Sequence, residues 1–454
     1  MVYLPFVVIL CAMIVIHEFG HFIVAKLLGI PVETFSVGFG PRLFGFRIGD
    51  TDYRFSAIPL GGYVKFRGEN MELMQGKSEG SVDEFLSQPK WKRFLVAVAG
   101  PVFNIATALL IPTAAILIGF EADIYDSQQV VIGEITPGST AEQAGLQKGD
   151  RIIAFDDQKN PTWSYWRDRV ITNLGEDIPL TVDRNGQIVQ LKLRPRVETH
   201  GKEQVGVVDL EPPLSYIGVA QVMKNTPAER AGLQVGDKIT AVNGAPVTGW
   251  HQFRRIIQEG REVALTVQRG RETLKINSSP EKQQNDSYWL GFSRMFETKL
   301  LKTNSLATAM RYGWDYNLRV LKFTGEVFQQ IFRGQRSASN SVAGPIGIAR
   351  QTVDTYKIDG WAGVIRLMGL LSLSLGILNL FPIPVLDGGM ILLIFIEWIL
   401  GLVGLTLTMN FRERFQQVGF VLVLLLMGFV IINDSVKVVE DWWSKPSAQE
   451  QQKK

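Results

Sequence analysis

A chain of 454 residues with 47 Lys and Arg against 44 Asp and Glu lacks the charge excess that tracks a phosphate backbone, so no nucleic-acid partner is expected. Its one cysteine, Cys11, can form neither an intrachain disulfide nor a multi-cysteine metal site, which leaves His and carboxylate groups to hold any metal. Mean hydropathy is only slightly positive, yet the apolar residues are bunched near both ends around a charged middle, the profile of a membrane protein with a polar insert.

Residues 3–30 form the first long apolar run. As a helix at about 1.5 Å per residue it reaches about 40 Å, enough to cross a hydrocarbon core of about 30 Å. No Lys or Arg precedes the run, and it holds His17, Glu18 and His21 where a signal peptide would have a small-residue cleavage site, so a retained span is expected. The following loop, residues 31–93, carries nine Lys or Arg, among them Arg42, Arg54, Lys77 and Arg93. The positive-inside rule sets this loop in the cytoplasm and the N-terminus outside. Within it, FSVGFGP (Phe35–Pro41) and FSAIPLGGYVKF (Phe55–Phe66) place β-type residues around glycine turns and read as a membrane-associated β-hairpin region. A second apolar run, residues 94–120, completes a first membrane half over residues 1–120; its Pro101 and Pro112 are of a kind tolerated in membrane helices.

Two crossings later, the insert from about 121 to 360 returns to the outside. It contains an internal repeat. AEQAGLQKGDRI (Ala141–Ile152) and AERAGLQVGDKI (Ala228–Ile239) agree at nine of twelve positions, so one small α+β domain occurs twice, over residues 126–211 and 214–297, with the Pro-rich joint Glu211–Pro213 between. Apolar side chains at Leu306, Met310, Trp314, Leu318, Leu321, Phe328 and Ile331 keep helical spacing over residues 303–333, and Tyr312, Trp314 and Tyr316 suit a membrane boundary, which predicts an interfacial helix. The last apolar stretches are residues 361–404, interrupted by Asn379–Gly389, and residues 415–433. They predict a second membrane half over residues 361–440, with an interrupted third span and a fourth, followed by a polar tail over residues 441–454. The expected fold class is a polytopic α-helical membrane protein of about four transmembrane helices with an inserted tandem of two α+β domains.

HEFGH, His17 to His21, sets two imidazoles at i and i+4 on one helical face with Glu18 beside them. That spacing lets both rings bind one zinc ion while the carboxylate reaches a water on it. Ionisable groups inside a span are costly in lipid and usually line a working cavity. A zinc hydrolase needs a third protein ligand and one open position. His200 and His251 lie in the external insert, so a carboxylate within the spans is required. Asp387 in NLFPIPVLDGG is preferred, because Pro382 and Pro384 break helical hydrogen bonding and Gly388 and Gly389 permit close backbone approach; Glu397, in an otherwise apolar segment, competes. A peptide bond in a helical substrate is shielded by its own hydrogen bonds, so the substrate must be held extended, by strand addition to the loop at Gly38, Phe39, Gly40, Gly61 and Gly62. Asn379 is the choice for a clamp on substrate main chain, and Asn104 reads equally as a helix-packing hydrogen bond.

HEFGH, the GFG and PLGGYVKF segments, AGPVFN (Ala99–Asn104), the tandem repeat and NLFPIPVLDGG, in this order over nearly the whole chain, resemble the site-2 proteases, an M50-like family of intramembrane zinc metallopeptidases. The resemblance implies Zn2+ held by His17, His21 and Asp387, Glu18 as catalytic base, four spans, and an active site toward the cytoplasmic side of a bacterial inner membrane. It also implies that the repeats are periplasmic, circularly permuted PDZ-like domains. Their carboxylate-binding strands would lie near Gly206 and Val207 and near Leu290, Gly291 and Phe292, and the pair would act as a size filter. Substrates implied are single-pass membrane proteins, namely an anti-sigma factor already shortened by a first protease in an envelope stress response, and remnant signal peptides. Two readings from other classes make different predictions. A membrane-tethered PDZ scaffold would tolerate Glu18→Gln, and a metal transporter using His17, His21 and Asp387 would carry ions without proteolysis.

Overall fold

In the computed structural model the described residues are 3–68, 84–200, 203–283, 286–295, 298–337, 339 and 344–443; Lys77 of the basic loop and most of the polar tail lie outside them. Residues 1–118, 303–322 and 337–454 form one unit, and residues 119–302 and 323–336 a second. Four helices among the described residues are long and apolar enough to cross a membrane: Leu4–Leu27, Lys90–Ile118, Pro345–Leu380 and Asn410–Val436.

In the first unit, α1 (Leu4–Leu27) starts with Pro5 in its first turn and has Lys26 in its last, where the helix dipole favours a cation. It stops at Gly29, whose φ of 71° suits the left-handed turn that ends helices. β1 (Val32–Ile48) and β2 (Thr51–Phe66) then fold over each other. Thr34–Val37 pairs with Gly62–Lys65 and also with Asp52–Phe55, while Arg42–Ile48 pairs with Thr51–Ser56, so Gly62–Phe66 is one edge of this small sheet. Leu43, Phe44, Phe46, Ile48 and Phe55 are all exposed, an apolar surface suited to lipid. α2 (Lys90–Ile118) contains both Pro101 and Pro112.

The second unit begins with β3 (Phe120–Asp123). Its first module comprises β4 (Glu134–Ile135), α3 (Thr140–Gln143), β5 (Arg151–Phe155), β6 (Gln158–Lys159), α4 (Trp163–Thr172), β7 (Ile178–Arg184), β8 (Gln187–Leu193), β9 (Arg196–His200), β10 (Glu203–Val207) and β11 (Leu210–Glu211). The second repeats the order with β12 (Ile217–Val222), α5 (Pro227–Arg230), β13 (Lys238–Val242), β14 (Ala245–Pro246), α6 (Trp250–Gln258), β15 (Val263–Arg269), β16 (Glu272–Ser278), β17 (Glu281–Lys282), β18 (Tyr288–Trp289) and β19 (Phe292–Met295). β20 (Thr298–Leu301) pairs with β3. The repeated twelve residues do the same work twice. Ser139 and Thr226 cap α3 and α5, while Glu142 and Glu229 reach back to the N–H of Gly138 and Asn225. Ala141, Ile152, Ala228 and Ile239 are wholly buried in the two cores. The repeat's aspartates, Asp150 and Asp237, are buried and accept paired hydrogen bonds from Arg184 and Arg269 at 2.7 to 2.8 Å.

The helix expected over residues 303–333 is α7 (Leu306–Phe332). In the first unit, its Asn317 Nδ2 donates to the Ala108 carbonyl at 2.9 Å. That carbonyl loses its helical partner because Pro112, four residues on, has no N–H, so one side chain satisfies the group that proline freed. In the second unit, Glu326 of the same helix accepts from Thr172 Oγ1 at 2.7 Å.

The third span differs from expectation. α8 (Pro345–Leu380) starts well before Trp361, and the chain breaks direction inside it at Gly360, with φ 60° and ψ −151°. Arg350, Asp354, Lys357 and Asp359 make its first segment polar, which is why hydropathy marks only the part after the break. After the Pro-rich segment, α9 (Asp387–Leu402) is a separate helix of 16 residues, about 24 Å long and shorter than a hydrocarbon core. α10 (Met409–Trp443) is the last. Its Asp434 is buried and accepts from the N–H groups of Gly344, Ile346 and Gly347 at the start of α8, at 3.0 to 3.1 Å.

Candidate active site

The helical spacing of HEFGH brings the two Nε2 atoms of His17 and His21 to 3.2 Å on the buried face of α1. Asp387, the first residue of α9, meets them: Oδ2 lies 3.0 Å from His17 Nε2 and Oδ1 3.3 Å from His21 Nε2. These three are the one group of metal-ligating side chains that gathers among the described residues. His21 Nδ1 is 2.7 Å from the Val96 carbonyl, which only accepts, so Nδ1 carries a proton, and in its neutral form the ring turns a lone pair inward from Nε2. Asp387 Oδ2 is buried with no hydrogen-bond donor among the described residues, although His17 Nε2 is close. Lone pairs facing one another across such a gap fit a divalent cation between them, and two imidazoles with one carboxylate are a ligand set that leaves a fourth position open.

Local sequence explains each approach. Gly100 of α2 backs the imidazoles: a Cβ there would stand 2.3 Å from His21 Nε2 and 2.8 Å from His17 Cε1. On the other side, Gly388 lets the chain double back, since a Cβ would stand 2.0 Å from the Phe381 carbonyl. Val385 holds φ at 79°, a costly conformation for a β-branched residue, two positions before Asp387.

Glu18 borders the same cavity of about 290 Å3 as His17, His21, Asn379 and Asp387. Its Oε2 accepts from the Val64 N–H at 3.1 Å, so the outer edge of β2 faces the site. Asn379, at the end of α8, has Nδ2 3.3 Å from His17 Nε2. Gly62 packs beside Glu18, since a Cβ there would be 3.7 Å from Glu18 Cγ. Gly38, Phe39, Gly40 and Gly61 do not line the cavity; Phe39 stacks on Tyr63, and Gly38 abuts the Ser56 and Ile58 carbonyls. The competing candidate Glu397 is elsewhere, paired with Arg93 at 3.0 Å and Arg412 at 2.8 Å. Sequence reasoning missed that network and the role of Gly100. It also missed that Asn104, wholly buried, has Nδ2 3.1 Å from His17 Nδ1.

In the second unit, Gly206 and Val207 line a cavity of about 710 Å3 with Trp163, Trp166 and Arg294. Gly206 lies so close to α4 that a Cβ would be 2.1 Å from the Val170 carbonyl. Leu290 and Phe292 are core residues, and Gly291, with φ 89°, turns the chain between them while its carbonyl accepts from the Met223 N–H.

A membrane unit with this His, His, Asp and Glu arrangement defines an intramembrane metallopeptidase class, and the comparisons agree. The chain belongs to peptidase family M50, whose family model matches residues 5–426. It is 31% identical to the regulator of sigma-E protease RseP of Salmonella typhimurium strain 14028s and 30% identical to that of Escherichia coli strain K12, covering in both cases 94% of this chain and 97% of the relative. A protein of Neisseria meningitidis serogroup A, named as a candidate zinc metalloprotease, is 29% identical over 96% of this chain and 99% of its own. Among solved structures, the PDZ domain of an SdrC-like protein from Listeria monocytogenes matches at 18% identity, covering 19% of this chain and 93% of that one, with a TM-score of 0.17.

Proposed function

We propose that this peptidase is an intramembrane zinc metalloendopeptidase of a bacterial inner membrane, cleaving single-pass membrane proteins within or near the bilayer. The observation that carries the reading is the meeting of His17 and His21 of α1 with Asp387, the first residue of α9, beside Glu18. His17 Nε2, His21 Nε2 and an Asp387 oxygen would hold the ion, and zinc, when bound, supplies Lewis acidity toward a water and the scissile carbonyl. Glu18, held by the Val64 N–H, takes a proton from the attacking water and returns it to the leaving amine nitrogen. The Gly62–Phe66 edge adds substrate main chain as a further strand beside Glu18, and the Asn379 amide, which lines the same cavity next to His17, clamps that chain.

The basic residues of the 31–93 loop support an orientation in which the active site opens toward the cytoplasm and the N-terminus and both repeats are periplasmic. The repeats are PDZ-like domains that screen substrates by size, with Gly206, Val207, Leu290, Gly291 and Phe292 at their peptide-binding edges. The relatives' names tie them to sigma-E regulation, which supports an anti-sigma factor as substrate; its shortening by a first cleavage, and remnant signal peptides as a second class, follow from the resemblance of the sequence motifs to the site-2 proteases. Purified enzyme incubated with a truncated single-pass substrate tests the reading. Cleavage is expected to stop with a chelator, and Glu18→Gln is expected to retain zinc while losing about 100-fold or more in rate. Cleavage by Glu18→Gln at the wild-type rate would overturn it.

A further inference from the structure

His17 has an outer partner that the reading above does not use. Asn104 sits on α2, fully buried, with the Ser372 hydroxyl donating to its main-chain carbonyl at 2.9 Å and Gly376 packed on its Cβ. Its carboxamide lies between α1 and α8, and one end meets His17 Nδ1 at 3.1 Å while Oδ1 is buried without a partner among the described residues. The two ends of a carboxamide are nearly equal in shape but opposite in hydrogen bonding. With the NH2 group against the ring, Nδ1 must be a bare acceptor, the ring proton sits on Nε2, and Nε2 cannot bind a metal. With the oxygen against the ring, Nδ1–H donates to Oδ1, the stranded acceptor gains its partner, and the Nε2 lone pair faces His21 and Asp387.

Resting on the metal-site reading, we propose that Asn104 is a positioning residue that accepts a hydrogen bond from His17 Nδ1–H and so fixes the tautomer and plane of that ligand. His21 has the matching arrangement, with Nδ1 on the Val96 carbonyl of the same helix at 2.7 Å. α2 therefore supplies an oxygen to the outer nitrogen of each imidazole, one from main chain and one from a side chain. Outer partners of this kind hold ligating imidazoles in register at metal sites. Asn379 does not serve in this way. Its Nδ2 is 3.5 Å from His17 Nδ1 and 3.3 Å from Nε2, nearly equidistant from the two nitrogens and farther from Nδ1 than the Asn104 amide is.

The test compares Asn104→Leu, which keeps the shape and deletes the acceptor, with Asn104→Asp, which keeps an acceptor, in the full-length enzyme in detergent. Zinc affinity is read by competition with a chromophoric chelator, and thermal unfolding of the metal-free protein reports packing. Asn104→Leu is expected to unfold near the wild-type temperature without metal yet bind zinc about 10- to 100-fold more weakly, with Asn104→Asp within about threefold of wild type. Wild-type zinc affinity in Asn104→Leu overturns the proposal, as does equal weakening in both variants. Should Asn104→Leu fail to fold, Asn104→Asp decides alone: affinity within about threefold upholds the acceptor role and a loss of about tenfold or more refutes it. A wild-type enzyme that takes up no zinc overturns the metal reading itself, and this inference with it.

Discussion

Gly100→Ala places a single methyl group where the geometry of the site is least forgiving. The added carbon would lie 2.3 Å from His21 Nε2, 2.7 Å from His21 Cε1 and 2.8 Å from His17 Cε1. Comfortable contacts of this kind are about 3.5–4.0 Å, so about 1 Å of movement is required. α2 cannot easily supply it, because Gly20 of α1 is packed against the neighbouring Ala99 carbonyl. The imidazole of His21 is the part that yields, and in doing so it leaves the Val96 carbonyl that orients it. A displacement of about 1 Å at a catalytic group costs about 100-fold in rate, equivalent to about 2.7 kcal/mol. Metal–ligand distances tolerate only about 0.2 Å, so zinc retention should fall as well. The assay is kcat/KM for a truncated single-pass substrate together with zinc content, using Gly428→Ala as a control because, among the described residues, nothing beyond its own helix backbone lies within 4 Å of its Cβ position. Gly100→Ala enzyme with full zinc and kcat/KM within about threefold of wild type would refute the packing argument.

Glu397→Ala leaves Arg93, which is 3% exposed, and Arg412 without their shared partner, and thermal unfolding in detergent should show a loss of about 3–5 kcal/mol. The folded fraction should still bind zinc, whereas Asp387→Ala should not; loss of zinc from Glu397→Ala would reinstate Glu397 as a ligand. In the second repeat, burial alone would raise the Asp237 pKa, but the Arg269 guanidinium and the Gln234 N–H hold it below the ordinary carboxylate value. The stability it contributes is present above the unfolded value of about 3.9 and is lost as pH falls through the lower folded value. Hydrogen exchange in Lys238–Val242 should therefore accelerate below about pH 4, and Asp237→Asn should be faster at neutral pH with a flatter acid response. An acid response as steep in Asp237→Asn as in the wild type would count against the pair.

What could be read in the sequence is what one element settles by itself. HEFGH fixes two imidazoles by the pitch of one helix, and the repeat announces itself by identity at nine of twelve positions. Asp387 could be chosen because proline and glycine around it mark irregular backbone at membrane depth. The contact of Asn104 with His17, and of Gly100 with both imidazoles, depends on how α1 lies on α2, which no local pattern specifies. Arg93, Glu397 and Arg412 are single charges on three helices, each unremarkable until packing joins them. The start of α8 at Pro345 was hidden by its charged first segment, and the double pairing of Thr34–Val37 cannot follow from alternation, which predicts strands but not their neighbours. Both repeats end a strand in a charged turn, at Arg184 and Arg269, and each arginine returns to the buried aspartate of its own repeat, a pairing the sequence holds twice without displaying it.

The Pro-rich segment has a geometric necessity. Asn379 and Asp387 both reach His17 Nε2, at 3.3 and 3.0 Å, although eight residues separate them. Had α8 continued as a helix, those eight residues would advance about 12 Å along its axis, and the amide and the carboxylate could not touch one imidazole. Pro382 and Pro384 forbid that continuation by removing N–H groups and crowding the preceding turn. Gly388 and Gly389 admit the folded-back carbonyls of Phe381 and Ile383, which a Cβ would meet at 2.0 and 2.4 Å. The positive φ of Val385 is the remaining strain, of order 1–3 kcal/mol, borne next to the site. The segment is thus irregular because an amide and a carboxylate eight residues apart meet the same histidine from one stretch of chain, and a regular helix cannot present both.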